Sequence, residues 1–275
     1  MFPRETLRRM RWSVCALGVN SPEFSKQVQR GEIPDSKIFG TGFVIRDDAV
    51  LTARHLVLKL QNHIDNYAPK ESTRWLEFVH PAGDALMRSH VAWQKTTIFE
   101  NEDLAIVGMP QDNSPNSRAR APLPFADPLP IEVGQEIGIY GFPFGSDLMK
   151  RESDSMKPED DEDPSAIYRV GPVLQQGHIA AIARYSDGTA VDRLLLDVRT
   201  IGGMSGAPVF DPYSSTVIGI HQKGRETVTA FALPLTLASL VVLLAAHHKS
   251  NNWDPVRIDL PPARRVRDYA LGEGP

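Results

Sequence analysis

Ser205 stands in the run Gly202-Gly203-Met204-Ser205-Gly206-Ala207-Pro208-Val209-Phe210, with glycine close on either side of its hydroxyl. Such glycines shape backbone: Gly203 can aim its own N–H and that of Ser205 at one point, where the oxygen of a tetrahedral intermediate would sit. A serine hydroxyl is a weak nucleophile at neutral pH, so the run has chemistry only if a base and an acid that orients it lie elsewhere. The candidate base is His55. It ends the hairpin pattern formed by Gly40-Thr41-Gly42-Phe43-Val44-Ile45, the turn Arg46-Asp47-Asp48-Ala49 and the strand Val50-Leu51-Thr52-Ala53. The candidate acid is Asp103, at the mouth of the short apolar run Leu104-Ala105-Ile106-Val107. Taken singly, a tight turn explains the glycines, a structural role explains His55, and a strand-initiating carboxylate explains Asp103. In the order His, Asp, Ser they support one another.

In that order, and in those strand and turn contexts, the chain resembles the chymotrypsin-like (trypsin-like) serine peptidases over roughly residues 12–246. The competing pattern is the nucleophile elbow of α/β-hydrolases. It wants glycine where this chain has Ala207, and it places its histidine after the serine, leaving only His221, His247 or His248 as base. The resemblance implies an endopeptidase in which His55 takes the Ser205 proton, Asp103 holds the ring, and the N–H groups of Gly203 and Ser205 form an oxyanion hole. Peptide bonds would be cut through an acyl-enzyme, with no cofactor and no metal. The alternative is a catalytically silent peptidase fold that binds peptides along residues 221–224 by β-strand addition.

In the resembled family, residues before the nucleophile and on the following strand line the pocket for the side chain preceding the cleaved bond. Here those are Arg199, Thr200, His221, Gln222, Lys223 and Gly224. Thr200 together with Ile218-Gly219-Ile220-His221 resembles the glutamyl endopeptidase branch, which implies an acidic residue at that place, held by charge-assisted hydrogen bonds. The other reading makes His221 structural and the pocket small and aliphatic. Three positions depart from the common pattern: Met204 replaces an Asp that many digestive members use to bind a newly cut N-terminus, Ala207 replaces a glycine, and Arg54 fills a place that is often small.

The elements that must carry these residues read as an all-β fold of two six-stranded antiparallel β-barrels with a C-terminal helix. Short runs rich in Val, Ile, Phe and Tyr predict strands at 13–19, 38–45, 50–53, 73–80, 87–95 and 104–109, then at 135–142, 171–184, 190–198, 207–210, 216–223 and 227–233. Barrel one covers about 12–110 and barrel two 134–234. The proline-rich stretch 110–133 links them, a helix at 235–248 closes a domain of residues 1–248, and 249–275 is expected to be a mobile tail.

A chain of 275 residues can bury a sizeable core, and its net charge of −4, with both signs interspersed, lacks the basic stripe that nucleic-acid binding needs. Cys15 is the single cysteine, which excludes an intramolecular disulfide and predicts a reducing, cytoplasmic compartment; within the family the resemblance is to the disulfide-free bacterial type. Arg4, Arg8, Arg9 and Arg11 before the apolar residues 12–19 imitate a signal peptide, but the apolar run is short and reads better as a first strand. The apolar run 230–246 is broken by Pro234 and too short to span a bilayer, so no membrane is expected. The acidic segment 150–164 lacks the spacing of a calcium loop and reads as a solvated charge run. It is also the expected place for control, by an activating protein partner or by nicking at Glu152, Glu159 or Glu162.

Overall fold

The computed structural model describes residues 2–23, 26, 36–82, 85–111, 120–125, 131–143, 171–184, 191–199, 202–225, 229–249 and 256–258. The segments 150–164 and 185–190, and with them Thr200 of the expected pocket, lie outside the described residues, as does most of the tail.

Residues 14–108 build one sheet. Strand β1 (Val14–Asn20) is buried along its whole length because β2 (Ser36–Arg46) and β4 (Thr73–Ala82) pair with it on both sides, antiparallel. Gly18 lies where a side chain would run into the Trp75 ring across this pairing, so only glycine fits. Strand β2 turns tightly into β3 (Ala49–Ala53), with the Arg46 guanidinium forked onto the Asp48 carboxylate at the turn. Strands β5 (Ala85–Ala92), β6 (Thr96–Phe99) and β7 (Leu104–Gly108) complete the hairpins. Along the sheet the order is β6-β7-β3-β2-β1-β4-β5, with one more strand, β14 (Val256–Ile258), added parallel to β6. The first unit therefore gains an eighth strand from within the stretch expected to be a tail.

The second unit closes into a six-stranded barrel, as the sequence predicts. Its strands are β8 (Glu136–Gly141), β9 (Val173–Arg184), β10 (Val191–Leu196), β11 (Pro208–Phe210), β12 (Val217–Arg225) and β13 (Thr229–Pro234), in the order β10-β13-β12-β11-β8-β9. Its interior is filled by Ile137, Ile139, Ile179, Leu194, Leu196, Val209 and Ile218, all essentially without solvent exposure.

Among the described residues, three helices of ten residues or more accompany the strands. Helix α1 (Arg4–Ser13) was not foreseen, the first strand being expected from residue 13; it buries Thr6, Met10 and Ser13, and the Thr6 hydroxyl donates to the Pro212 carbonyl (2.8 Å) while accepting from Ser215 (2.8 Å). Helix α2 (Arg54–Asn66), also unforeseen, buries Leu56, Val57 and Leu60 against the first sheet. Helix α3 (Leu237–Lys249) falls where it was expected. Thr236 and Ser239 cap it reciprocally, Ser239 N–H donating to the Thr236 hydroxyl at 3.0 Å. At its far end His247 meets the Thr97 hydroxyl (2.8 Å), and burial pushes this imidazole down to about 4, helped by Lys95 and Arg46. Among the described residues, no helix is long and apolar enough to cross a membrane.

One apolar layer runs between the units, with Phe43, Phe99 and Leu104 from the sheet, Tyr140, Phe210, Val217 and Ile220 from the barrel, and Leu235, Leu240 and Leu243 from the end of the chain. The described part of the linker lies along this seam: Leu123 N–H donates to the Val44 carbonyl (3.0 Å), and Val217 N–H to the Pro124 carbonyl (2.8 Å).

Candidate active site

Strand register brings His55 and Asp103 together. Strands β3 and β7 pair antiparallel with Ala53 opposite Leu104, so the residues that leave β3 and those that enter β7 emerge at the same end. Arg54 N–H extends the ladder by donating to the Asp103 carbonyl at 2.9 Å. His55 lies in the first turn of α2, and the Asp103 carboxylate holds it twice: Oδ1 accepts the His55 main-chain N–H (3.0 Å) and Oδ2 lies 2.7 Å from the ring Nδ1. That leaves Nε2 as the ring nitrogen available to a reacting group. Asp103 reaches this position with φ +54°, in the left-handed region that Asp tolerates better than most residues.

Ser205 comes from the other unit, in the turn that leads into β11. Gly203 and Gly206 on either side have φ +96° and +81°. Gly206 is required by more than its torsion: a Cβ there would collide with the Thr41 carbonyl and the Thr52 hydroxyl, so the turn lies directly against strands β2 and β3. Thr41 clasps the two units. Its N–H donates to the Ser205 carbonyl (3.0 Å), its hydroxyl donates to the Gly203 carbonyl (2.9 Å) and accepts from Phe142 N–H (2.9 Å), and its carbonyl accepts the Thr52 hydroxyl (2.7 Å). The Ser205 hydroxyl donates to the Gln222 carbonyl at 3.1 Å.

The described residues of the expected pocket differ in burial. Arg199 and Lys223 are exposed, and Gly224 lies on β12. His221 is 1% exposed, and among the described residues neither ring nitrogen has a partner in hydrogen-bonding geometry. Burial pushes this imidazole down to about 4, the Met204 main chain pulling the other way and nearby His55 adding to the lowering. Gln222, expected among the substrate contacts, buries its side chain instead, its Nε2–H₂ donating to the Glu102 carbonyl at 2.6 Å. Sequence reasoning missed Thr41 altogether, because a threonine inside a hairpin pattern gives no sign of a partner more than 160 residues away. Among the described residues no group of three or more His, Cys, Asp or Glu side chains is placed to hold a metal ion.

The profile of the trypsin-like peptidase domain matches residues 40–220. Among solved structures the chain is similar to the Rv3671c protease from M. tuberculosis in its active form, at 18% identity and a TM-score of 0.54, over 91% of this chain and 86% of that one. It is also similar to the serine endoprotease from Yersinia pestis, at 17% identity and a TM-score of 0.50, over 88% of this chain and 63% of that one. At such identities these two speak for the fold alone. No curated protein matches. The domain match takes in the His55 hairpin, Asp103 and the Ser205 turn, on a fold of two β units closed by a helix. The chain belongs to the family of trypsin-like peptidase domains and is a serine endopeptidase.

Proposed function

We propose that this endopeptidase cuts peptide bonds with Ser205 as nucleophile, His55 as general base and then acid, and Asp103 as the group that fixes the ring. The observation that carries this reading is the double hold of the Asp103 carboxylate on His55, at 3.0 and 2.7 Å. It selects the tautomer with the proton on Nδ1, so that Nε2 can accept the Ser205 proton, and it stabilises the imidazolium that results. In the resting arrangement the Ser205 hydroxyl points at the Gln222 carbonyl, a bond it must leave to give its proton to His55 Nε2. The N–H groups of Gly203 and Ser205 then stabilise the oxyanion, an effect for which losing one donor costs about 10²- to 10³-fold in rate. A fluorophosphonate probe tests the mechanism: it should label the parent at Ser205 and leave Ser205→Ala unlabelled. Labelling that survives this substitution would remove Ser205 from the role. A silent peptide-binding fold is not favoured, since it gives the His55–Asp103 arrangement nothing to do.

A second reading concerns specificity, and the His221 ring favours it. A buried imidazole that makes no well-formed hydrogen bond among the described residues, with the Met204 main chain near it, leaves polar capacity open on the strand next to the nucleophile turn. A substrate carboxylate would fill it and draw the depressed His221 pKa back up. Peptides with Glu before the cleaved bond should then be cut faster than matched Gln or Ala peptides, and His221→Ala should erase the preference. Equal turnover of the three by the parent would leave a small aliphatic pocket. The lone Cys15, buried with its thiol pKa pushed up, supports work in a reducing compartment such as the cytoplasm.

A further inference from the structure

Gln222 makes two hydrogen bonds with opposite ends of the same residue, and each bears on a different part of the site. Its main-chain carbonyl accepts the Ser205 hydroxyl (3.1 Å), and its buried side chain reaches across to the first unit to donate to the Glu102 carbonyl (2.6 Å). The Glu102 carbonyl belongs to the peptide plane that precedes Asp103. The plane that follows Asp103 is pinned as well, by Arg54 N–H on the Asp103 carbonyl (2.9 Å). Between two pinned planes Asp103 is kept at φ +54°, a conformation that a non-glycine residue leaves readily unless its surroundings prevent it.

We propose that Gln222 is a positioning residue for the catalytic acid: its side-chain amide, supplied by the barrel, locks the left-handed backbone of Asp103 and so keeps the carboxylate on His55. The proposal rests on the triad reading above and adds to it a residue that touches neither substrate nor reacting atoms with its side chain. Without that donor the Glu102–Asp103 peptide keeps the long bond from Asp103 N–H to the Glu100 carbonyl (3.5 Å) but loses its hold on the barrel, so that Asp103 relaxes toward negative φ and its carboxylate swings off Nδ1. Nucleophile and acid would then be coupled through Gln222, whose carbonyl holds the Ser205 hydroxyl and whose side chain sets the acid in the other unit.

The test is Gln222→Met, which keeps length and packing but has no donor. kcat should fall about tenfold or more, as expected when a buried hydrogen bond felt in the transition state is lost, while KM moves less than about threefold. The limb of the pH–rate profile due to His55 should shift to lower pH, because a displaced carboxylate stabilises the imidazolium less. In proton NMR the low-field His55 Nδ1–H resonance should move upfield or broaden. A lowered melting temperature with unchanged kcat, pH limb and resonance would reduce Gln222 to a packing role and overturn the proposal, and so would a rise confined to KM. If Gln222→Met does not fold, the parent still decides. The Gln222 carboxamide resonances should titrate with the pKa of His55, since the peptide they hold carries Asp103, and carboxamide resonances that ignore that titration would overturn it. The NMR readouts need no turnover, and fluorophosphonate labelling of the parent reports separately on the triad itself, so the two readings fail by different signs.

Discussion

The two sources of the site are built on different principles. His55 and Asp103 lie at the end of paired strands β3 and β7, a few residues from the Ala53–Leu104 pairing that brings them together, so their approach is set by one antiparallel ladder, with the Gln222 amide as its tie to the barrel. Ser205 has no such ladder under it. It rides on a turn between β10 and β11, and what places it is the other unit: Thr41 on its carbonyl and on that of Gly203, and the close approach of Gly206 to strands β2 and β3. One half of the proposed machinery is thus determined mainly within a unit, with Gln222 as its tie across the seam, and the other across it, which means that damage to the seam at Thr41 should reach the nucleophile before it reaches the dyad.

The largest expected effect breaks either half outright. Ser205→Ala and Asp103→Asn should each lower kcat by about 10⁴-fold or more, and the double variant should lose little beyond the worse single one, because the groups act as a unit. Steady-state kinetics on the three proteins checks this, and additive losses would separate the halves functionally. Next comes Gly206→Ala, which asks for a strained torsion and a collision with the Thr41 carbonyl at once. It should cost roughly 3 kcal/mol or more in urea denaturation. A stable Gly206→Ala protein would mean that the turn does not lie against the sheet as described.

The buried His221 sharpens the comparison by its pH dependence. Its folded pKa, about 4, lies below its unfolded value near 6.5, so the unfolded chain takes up the proton first. Its contribution is whole above about pH 6.5 and is lost as pH falls toward 4, by roughly 3 kcal/mol. His221→Leu should flatten that part of the stability curve relative to the parent, and parallel curves would show that the ring is not buried neutral. The smallest effect is the most discriminating. Thr41→Val keeps shape but removes the hydroxyl from Gly203 and Phe142, at a cost of about 1 to 3 kcal/mol for buried groups left unpaired. It should slow fluorophosphonate labelling of Ser205 while leaving the His55 Nδ1–H resonance where it was. A moved resonance would show that the seam supports the dyad as well.

Which features could be read from sequence follows the same division. His55, Asp103 and Ser205 were legible because each has a local signature: a hairpin ending in histidine, a carboxylate opening an apolar strand, a serine among glycines. The barrel strands were legible from their apolar runs. Helix α1 was not, because its buried stripe of Thr6, Met10 and Ser13 is largely polar and makes sense only with the Pro212 carbonyl and Ser215 as partners. Helix α2 was hidden by following a hairpin without a break, with only Leu56, Val57 and Leu60 buried among polar residues. Strand β6 begins with two threonines that are buried through pairing with β7, and through His247 at Thr97, rather than through hydrophobicity. The bond from the Gln222 side chain to the Glu102 carbonyl is not legible in the sequence, because the position of Gln222 in the chain says nothing about Glu102. What sequence conceals here is long-range polar pairing.

The Thr41 clasp has a consequence for time as well as for geometry. Strands β1 to β7 need nothing beyond residue 108 to form their ladders, yet Thr41 must wait for Gly203, 162 residues further on. At synthesis rates of about 5–20 residues per second, the 102 residues that separate Asp103 from Ser205 alone take on the order of five to twenty seconds. During that time a nascent chain carries the proposed base and acid with no nucleophile beside them and without Gln222 to lock Asp103. A protease assembled in this sequence is harmless to the ribosome that makes it, and becomes competent only when the second barrel has emerged and closed onto the first unit.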